Sequence, residues 1–368
     1  MFAIAAHTGS TRPVIVDAAA PADPGVGEVL CRTLELGVCG TDREILKSAK
    51  PWTPVGQETL ILGHECLARI EALGSGVTDY RLGDLVVPEV RRALPGRAPP
   101  HSGGRRRVDL LPFGTFVERG IVREHGFSQP LWLDRPEYLF RVPADIVDLA
   151  VLAEPLTCSE KGVNEALLLT RARLGDDAWS AAAPPRVLVT GMGPVGFAAV
   201  LAAVARGWPV TMLGRDEPGT FRAQLVERLG GRYLPLHANE LQSIDAEHAG
   251  YDLLLECTGS DAVLLQAASA VRSCGVIVWL GSNRVPQPKM QNIDKLVREG
   301  LLRNHIHVGS VNAAPRDFQD ALAHLSQLAS DRRAELAALI TARVRPEDSL
   351  WHYEHREPQG IKTALMYE

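Results

Sequence analysis

Residues 186–196, RVLVTGMGPVG, have the pattern of a short apolar strand, a glycine-rich turn and the start of an apolar helix. Gly191 permits the tight turn, Gly193 lets a pyrophosphate approach the backbone, and Gly196 allows the helix to pack closely on the strand. The helix N-terminus attracts phosphate charge. A plain glycine turn is the alternative, which the flanking strand and helix disfavour. We therefore expect a dinucleotide to bind at the turn formed by Gly191, Met192, Gly193, Pro194, Val195 and Gly196.

Strands and helices alternate on either side of this turn. The pattern predicts a helix over 195–206 and further strands over 210–213, 251–256 and 276–280. Strands that alternate with helices build a parallel sheet with helices on both faces. The sequence thus predicts an α/β, doubly wound (Rossmann) nucleotide domain over 156–312.

The first part of the chain has a different pattern. Short β-like runs at 28–36 and 85–87 are separated by Gly, Pro and Asp, and helical periodicity is weak. We expect a separate, β-rich catalytic domain over 1–155. Residues 91–115 are rich in Pro, Gly and Arg without a clear pattern, so they predict an exposed loop.

Composition limits the classes of function. A chain of 368 residues predicts about two domains, and 46% hydrophobic with 23% charged residues is typical of a globular protein. The net charge of −5 disfavours nucleic acid as a partner. No apolar stretch is long enough to span a membrane, and the N-terminus lacks the pattern of a signal peptide. We expect a cytoplasmic enzyme whose six cysteines, without a CxxC pair, are reduced.

The end of the second predicted strand bears on cofactor choice. Gly214, Arg215 and Asp216 stand about 20 residues after the last glycine of the turn, where NAD enzymes carry an acid that bonds the ribose. Arginine at this place favours a 2′-phosphate, so we expect NADP to be preferred. NAD stays possible because Asp216 could reach a ribose. The alternative for Arg215 is a side chain that points into solvent.

A second group of residues has metal-ligand chemistry. Cys39, His64, Glu65 and Glu154 supply a thiolate, an imidazole and carboxylates, a plausible catalytic zinc set with one position open for substrate. The residues alone leave a second interpretation open, in which Cys39 is a buried apolar-like thiol and His64 a hydrogen-bonded core histidine.

Several segments in a fixed order resemble the medium-chain, zinc-containing dehydrogenases, from about residue 37 to the C-terminus. They are GVCGTDREI, LGHE, GSGVTDYRLGD, PEVRR, AEPLTCSEK, the GxGxxG turn and YDLLLECTG. Within that family the chain is most similar to the glucose 1-dehydrogenase branch, through GTDREI, PEVRR, TFVERGIVREHGF, the EPLxxxEK pattern and VGSVNA.

The resemblance implies a GroES-like fold for the β-rich domain, with residues 313–368 returning to it. It implies that Cys39 and His64 bind one catalytic zinc, and that Glu65 and Glu154 ligate it directly, through water or in exchange. Thr41 would relay the hydroxyl proton, and zinc would lower the pKa of the substrate hydroxyl. Hydride would pass from the carbinol carbon to nicotinamide, and a sugar oxidised at the anomeric carbon would give a lactone.

The resemblance also implies further contacts. Ser310, Val311 and Asn312 would lie beside the nicotinamide, and Lys362 is a further candidate for the cofactor. Thr41, Glu154 and Asn312 would contact the substrate, and Cys158 stands at a substrate-facing position. A small-molecule substrate and a homo-oligomer, either dimer or tetramer, complete the expectation.

Three departures from the family pattern bear on metal and substrate. Residues 91–115 contain no cysteine, so we expect no structural zinc. Cys158 stands where sugar dehydrogenases of this branch often have an acid, and Pro130 lies near a position where a substrate-binding glutamate can occur. Fewer sugar contacts mean weaker discrimination. An aldose or polyol is therefore the leading substrate class, another secondary alcohol or an amino alcohol the alternative, and a non-catalytic nucleotide-binding protein a less favoured one.

Overall fold

The structure is a computed structural model that describes residues 1–96, 101–102, 105–237, 246–282 and 293–368. These residues divide into two compact units. The first contains Met1–Glu154, Asn312–Ala329 and Leu339–Glu368, and the second contains Pro155–Val311 and Ser330–Ala338. Among the described helices, none combines the length and the apolar character that a membrane crossing requires.

The elements are numbered in chain order. The strands are β1 Phe2–His7, β2 Val14–Asp17, β3 Val29–Val38, β4 Thr59–Ile61, β5 Glu65–Leu73, β6 Leu85–Pro88, β7 Arg91–Ala93, β8 His101–Ser102, β9 Arg105–Arg106, β10 Phe116–Arg119, β11 Arg123–Glu124, β12 Leu131–Asp134, β13 Leu139–Arg141, β14 Val187–Thr190, β15 Val210–Gly214, β16 Arg232–Pro235, β17 Tyr251–Glu256, β18 Val271–Trp279, β19 Ile306–Gly309, β20 Ile340–Val344 and β21 Lys362–Met366. The α-helices are α1 Gly40–Ser48, α2 Ala153–Leu174, α3 Pro194–Ala205, α4 Phe221–Arg228, α5 Ala246–Ala249, α6 Asp261–Ala268, α7 Asp294–Leu302, α8 Pro315–Ala338 and α9 Leu350–Glu354. Short 3₁₀ helices lie at Val108–Leu110, Pro136–Tyr138, Ala144–Leu152 and Pro346–Asp348.

The first unit is built mainly from β-strands. Its largest sheet has the order β13-β6-β5-β3-β21-β20, with β12 also paired to β3, and smaller sheets have the orders β2-β1-β4 and β11-β10-β7. Leu36, Val38, Ile45, Phe127 and Trp132 belong to its buried apolar core. Because β3 pairs with both β5 and β21, it brings the start of β5 and the start of β21 close to one point.

The prediction of an exposed loop over 91–115 is wrong for part of that range. Arg91 and Arg92 lie in β7 and are buried. Each guanidinium is paired with a buried carboxylate, Arg91 with Glu118 at 2.8 Å and Arg92 with Asp134 at 2.7 Å. Burial of a charge is tolerated where it is paired and hydrogen-bonded, which explains why an arginine-rich segment lies inside the unit.

The second unit contains a six-stranded parallel sheet with the order β16-β15-β14-β17-β18-β19. This is the strand order of the doubly wound dinucleotide-binding fold, in which the chain reverses direction across the sheet beside its first strand, here β14. Every residue of β14 and β15 is buried, as expected for a sheet covered on both faces. The predicted fold class is confirmed, and the predicted strands at 210–213 and 251–256 agree with β15 and β17 within one residue.

Candidate active site

The end of β3 places Cys39 at the N-cap of α1. Its backbone is extended, with φ −95° and ψ 160°, and its amide donates a hydrogen bond of 2.9 Å to Oδ2 of Asp42. The amide of Thr41 donates to Sγ of Cys39 at 3.5 Å. This local pattern holds the sulfur of Cys39 at the N-terminus of α1.

Asp42 also links α1 to the segment that precedes β5. Its Oδ1 accepts a hydrogen bond of 3.4 Å from the amide of Gly63, and it lies 3.6 Å from Nδ1 of His64. Gly63 has φ +88°, a backbone conformation that favours glycine. Asp42 therefore fixes the position of His64 through the turn before it. The role of Asp42 was not predicted from the sequence, although an acid three residues after an N-cap is a recognisable capping signal.

Cys39, His64 and Glu65 come together in the first unit. Among the described residues they form a group whose sulfur, ring nitrogen and carboxylate oxygen all lie within 4.8 Å of one another. A tetrahedral zinc ion with bonds of about 2.0–2.3 Å separates its ligand atoms by roughly 3.5 Å, so a small contraction accommodates the ion. His64 and Glu65 are buried, and Nδ1 of His64 has no hydrogen-bond partner among the described residues. The donor set fits zinc.

Lys362 and Gly37 together determine the position of the Glu65 side chain. Nζ of Lys362 donates a hydrogen bond to Oε2 of Glu65, and both side chains are fully buried. Gly37 lies opposite Glu65 in the β3–β5 register. A Cβ at Gly37 would lie 3.0 Å from Cβ of Glu65 and closer still to its carboxylate, so only glycine leaves room for this acid. In this structure the ammonium of Lys362 is bonded to Glu65, and its contact with the cofactor stays a prediction.

Negative charge dominates this group. Burial, together with the charge of Glu65, raises the pKa of Glu154 to about 7 against the opposing effect of His64. Burial alone would lower the pKa of His64, but the charges of Cys39 and Asp42 outweigh it and hold that pKa well above its usual value. The charges of His64 and Glu65 act on Glu154, although Glu154 lies outside the close set formed by Cys39, His64 and Glu65. Such a buried excess of acids attracts a cation.

Two further predicted site residues belong to the first unit. Thr41 is half-buried, and its hydroxyl makes no hydrogen bond with the described residues. Asn312 has φ +61°, and its Nδ2 donates to Oε1 of Glu118 at 2.6 Å. Glu118 is the buried partner of Arg91. Glu118 could not be predicted from local sequence, because its hydrogen bond with Asn312 joins residues that are 194 positions apart in the chain.

The predicted dinucleotide turn belongs to the second unit. Gly191 has φ +91°, and a Cβ on Gly196 would overlap the carbonyl oxygen of Gly191. Gly193 is the N-cap of α3 and Pro194 its first residue, so the first amides of the helix lack partners within the helix. A Cβ on Gly214 would overlap the side chain of Met192. The geometry is that of an anion-binding helix N-terminus.

Other predicted cofactor contacts also lie in the second unit. Arg215 is exposed, whereas the carboxylate of Asp216 accepts two hydrogen bonds from Arg222. Ser310 donates its amide to the carbonyl of Trp279 at 3.0 Å, and the exposed Val311 accepts from Nζ of Lys161 at 2.7 Å. Cys158 is half-buried in α2. For Asp216 to bind a ribose, as the sequence left possible, its carboxylate would have to exchange Arg222 for the ribose hydroxyls.

Comparison with known proteins decides the family. The family model described as glucose dehydrogenase C-terminus matches residues 147–367, more than half of the chain, and the one described as alcohol dehydrogenase GroES-like domain matches residues 25–135. The chain belongs to the glucose dehydrogenase family. This confirms the resemblance to the medium-chain, zinc-containing dehydrogenases and the GroES-like fold of the β-rich part.

Members of the glucose dehydrogenase family are similar over most of their length. The glucose 1-dehydrogenase of Thermoproteus tenax is 39% identical over 304 residues, which cover 83% of this chain and 82% of that protein. Glucose 1-dehydrogenase 1 of Caldivirga maquilingensis is 34% identical over 342 residues, with 93% and 92% covered. The structure of Haloferax mediterranei glucose dehydrogenase in complex with NADP, zinc and gluconolactone matches with a TM-score of 0.85 at 27% identity, over 100% of this chain and 99% of that one.

Proposed function

We propose that this chain is a zinc-dependent dehydrogenase that oxidises the anomeric hydroxyl of an aldose such as glucose to a lactone, with NADP preferred over NAD as the hydride acceptor. The observation that carries the proposal is the close group of Cys39, His64 and Glu65 in a chain of the glucose dehydrogenase family. The structure of the related Haloferax mediterranei enzyme contains NADP, zinc and gluconolactone. It supports the cofactor, the metal and the lactone product that we propose for this chain.

One zinc per chain is the proposed metal content. Cys39 and His64 would hold it together with Glu65 or Glu154, and zinc supplies the positive charge that makes a nearby hydroxyl more acidic. The resemblance aligns residues 91–115 with the lobe that holds a structural zinc in many medium-chain dehydrogenases, and because these residues contain no cysteine, a second zinc has no thiolate set there. Asp42 keeps His64 in place, and the hydrogen bond from Lys362 orients the carboxylate of Glu65.

Thr41 is the proposed proton carrier. Its hydroxyl is unengaged by the described residues, and its amide is bonded to the sulfur of Cys39, so the side chain is held beside the metal-binding group. A hydroxyl that both accepts and donates can take the substrate proton and pass it on in the same geometry. A bound nicotinamide would supply the hydride acceptor for the carbinol carbon, and Ser310, Val311 and Asn312 are the residues that would lie beside it.

The residues proposed to contact the substrate bear on its class, and Asn312 favours a polyhydroxy compound. Asn312 and Glu118 form a bonded amide–carboxylate pair, and such a pair offers both donors and acceptors to sugar hydroxyls. Cys158 favours the second candidate, a dehydrogenase for another secondary alcohol or an amino alcohol, because a thiol is a weak partner for a hydroxyl. We propose glucose or a closely related aldose as the substrate and expect weaker discrimination among sugars than an acid at 158 would give.

A substrate panel tests the proposal. Aldoses, polyols, amino alcohols and simple secondary alcohols are incubated with NADP⁺ or NAD⁺, and reduced cofactor and lactone are both measured. We expect reduced cofactor and lactone with aldoses, and faster reaction with NADP⁺. Reaction confined to simple or amino alcohols would select the second candidate instead.

We also propose that the protein is a homo-oligomer, a dimer or tetramer. In the second unit, α7 exposes Val297, Leu301 and Leu302 at 58%, 72% and 63% of their surface. Apolar side chains this close together on one helix favour burial against another subunit. Light scattering coupled to size-exclusion chromatography measures the mass directly, and a monomeric mass would contradict this.

A further inference from the structure

Directly after β15, Asp216 follows the exposed Arg215, and the carboxylate of Asp216 is bound by Arg222. Nε of Arg222 donates to Oδ2 of Asp216 at 2.8 Å, and a terminal nitrogen of Arg222 donates to Oδ1 at 2.6 Å. Both carboxylate oxygens are therefore engaged by one planar guanidinium. A two-point pair of this kind fixes direction as well as neutralising charge.

The pair of Asp216 and Arg222 is largely shielded from water, and a hydrogen bond from Tyr233 holds the backbone of Asp216. The side chains of Arg222 and Asp216 are 13% and 10% exposed. The hydroxyl of Tyr233 in β16 donates to the backbone carbonyl of Asp216 at 2.5 Å. Burial and the nearby Asp216 raise the pKa of Tyr233 to about 12, so this hydroxyl stays a donor at neutral pH. The contacts keep the loop after β15 in one arrangement.

Nicotinamide cofactors differ at the ribose position that lies by the end of this strand. An acid there binds the two hydroxyls of NAD and repels the 2′-phosphate of NADP, whereas arginine attracts the phosphate. Arg215 precedes Asp216 and is exposed, so the two residues favour opposite cofactors if both are available. Because Arg222 binds both carboxylate oxygens of Asp216, the acid is withheld from the ribose, and the preference set by Arg215 is unopposed.

We infer that Arg222 is a specificity-determining residue for the cofactor: by binding Asp216 it withdraws the acid from the ribose and cancels the negative charge that would repel a 2′-phosphate beside Arg215. This inference depends on the proposed function, because it concerns the nucleotide that the dehydrogenase uses. It goes beyond that function by assigning the preference to a pair of residues and not to Arg215 alone.

The test measures binding of NADP⁺ and NAD⁺ to the purified full chain by isothermal titration calorimetry, without substrate. In Arg222→Gln we expect the dissociation constant for NADP⁺ to rise about tenfold or more, since the uncompensated charge of Asp216 would repel the 2′-phosphate. The dissociation constant for NAD⁺ should fall, because Asp216 becomes available to the ribose. Arg228→Gln, the same change on an exposed residue of the same helix, is the matched control and should leave both constants unchanged.

Two further variants separate specificity from folding. Asp216→Asn keeps Arg222 and removes the acid, so NADP⁺ should bind at least as tightly as in the wild type and NAD⁺ binding should not weaken. In the double variant Arg222→Gln with Asp216→Asn, the gain in NAD⁺ binding should vanish. If Arg222→Gln does not fold, as judged by its melting curve, Asp216→Asn alone decides: weaker NAD⁺ binding would show that Asp216 serves the ribose and would overturn the inference.

The remaining outcomes distinguish this inference from the function it depends on. A wild-type protein that binds neither nucleotide contradicts the proposed function itself. A wild-type protein that binds NADP⁺, together with a folded Arg222→Gln variant that keeps the wild-type ratio of the two dissociation constants, overturns only the role of Arg222.

Discussion

Lys362 and Glu65 form a fully buried ion pair in the first unit, at the edge of the group that also contains Cys39 and His64. Two charges in a protein interior are tolerated only while each compensates the other. Lys362 therefore holds Glu65 in place when no cation is bound. It also supplies a positive charge to a site that contains several acids.

Lys362→Met should destabilise the zinc-free protein strongly. Glu65 is left buried without its partner, so the free energy of unfolding should fall by about 3–5 kcal/mol. Urea denaturation of chelator-treated protein measures this change. Zinc should restore part of the loss, because its charge replaces the ammonium. The control is the double variant Lys362→Met with Glu65→Gln, which should recover most of the stability; a single variant within about 1 kcal/mol of the wild type would contradict the account.

Gly37→Ala should weaken zinc binding. The new methyl group would lie against the side chain of Glu65, and the carboxylate has to move away from Cys39 and His64. We expect the zinc dissociation constant to rise about tenfold or more, as for other changes that misplace a ligand. Gly40→Ala is the matched control, since a Cβ at Gly40 meets nothing within 4 Å. Competition with a chromogenic chelator measures both, and equal affinities in the two variants would argue against a ligand role for Glu65.

The buried pair of Asp134 and Arg92 predicts a pH dependence of stability. Burial opposes ionisation of Asp134, but Arg92 and Arg119 outweigh it and hold its pKa below the usual value. A carboxyl whose folded pKa is depressed stabilises the protein above its unfolded pKa of about 3.9 and loses that contribution as the pH falls through the folded pKa. The stability difference between wild type and Asp134→Asn should therefore be largest near neutral pH and shrink below about pH 4.

Urea denaturation at a series of pH values checks this prediction. Asp84→Asn, a change at a partly exposed acid that pairs with Arg141, is the control and should show a much smaller pH-dependent difference. A difference between wild type and Asp134→Asn that stays constant from pH 7 to about pH 3 would contradict the role given to the Arg92 pair.

The strand–turn–helix at 186–196 could be predicted from sequence because its three parts are adjacent in the chain. β18 was harder: it begins at Val271, five residues before the predicted start at 276, because the polar run RSCG interrupts its apolar pattern. Cys274 even adopts φ +62° within the strand. Local pattern gives the middle of an element more reliably than its ends.

The buried arginines show what a local pattern does not contain. Arg91 and Arg92 look like a solvated charge run, yet their partners Glu118 and Asp134 lie 27 and 42 residues further along the chain. The partner of Asp216 is likewise not given by a local pattern: its carboxylate is bound by Arg222, which limits its availability to a ribose. The residue types at the site were visible in the sequence, whereas their pairing is a property of the folded chain.

The central claim is that a zinc ion held by Cys39, His64 and a carboxylate makes this chain an aldose dehydrogenase. The most direct measurement is a titration of chelator-treated protein with zinc, following glucose-dependent reduction of NADP⁺ and bound zinc in the same samples. The account predicts no activity without zinc and full recovery at about one zinc per chain, with neither tight binding nor recovery in Cys39→Ser. Undiminished glucose oxidation by zinc-free protein, or a Cys39→Ser variant that binds zinc and reacts like the wild type, would contradict it.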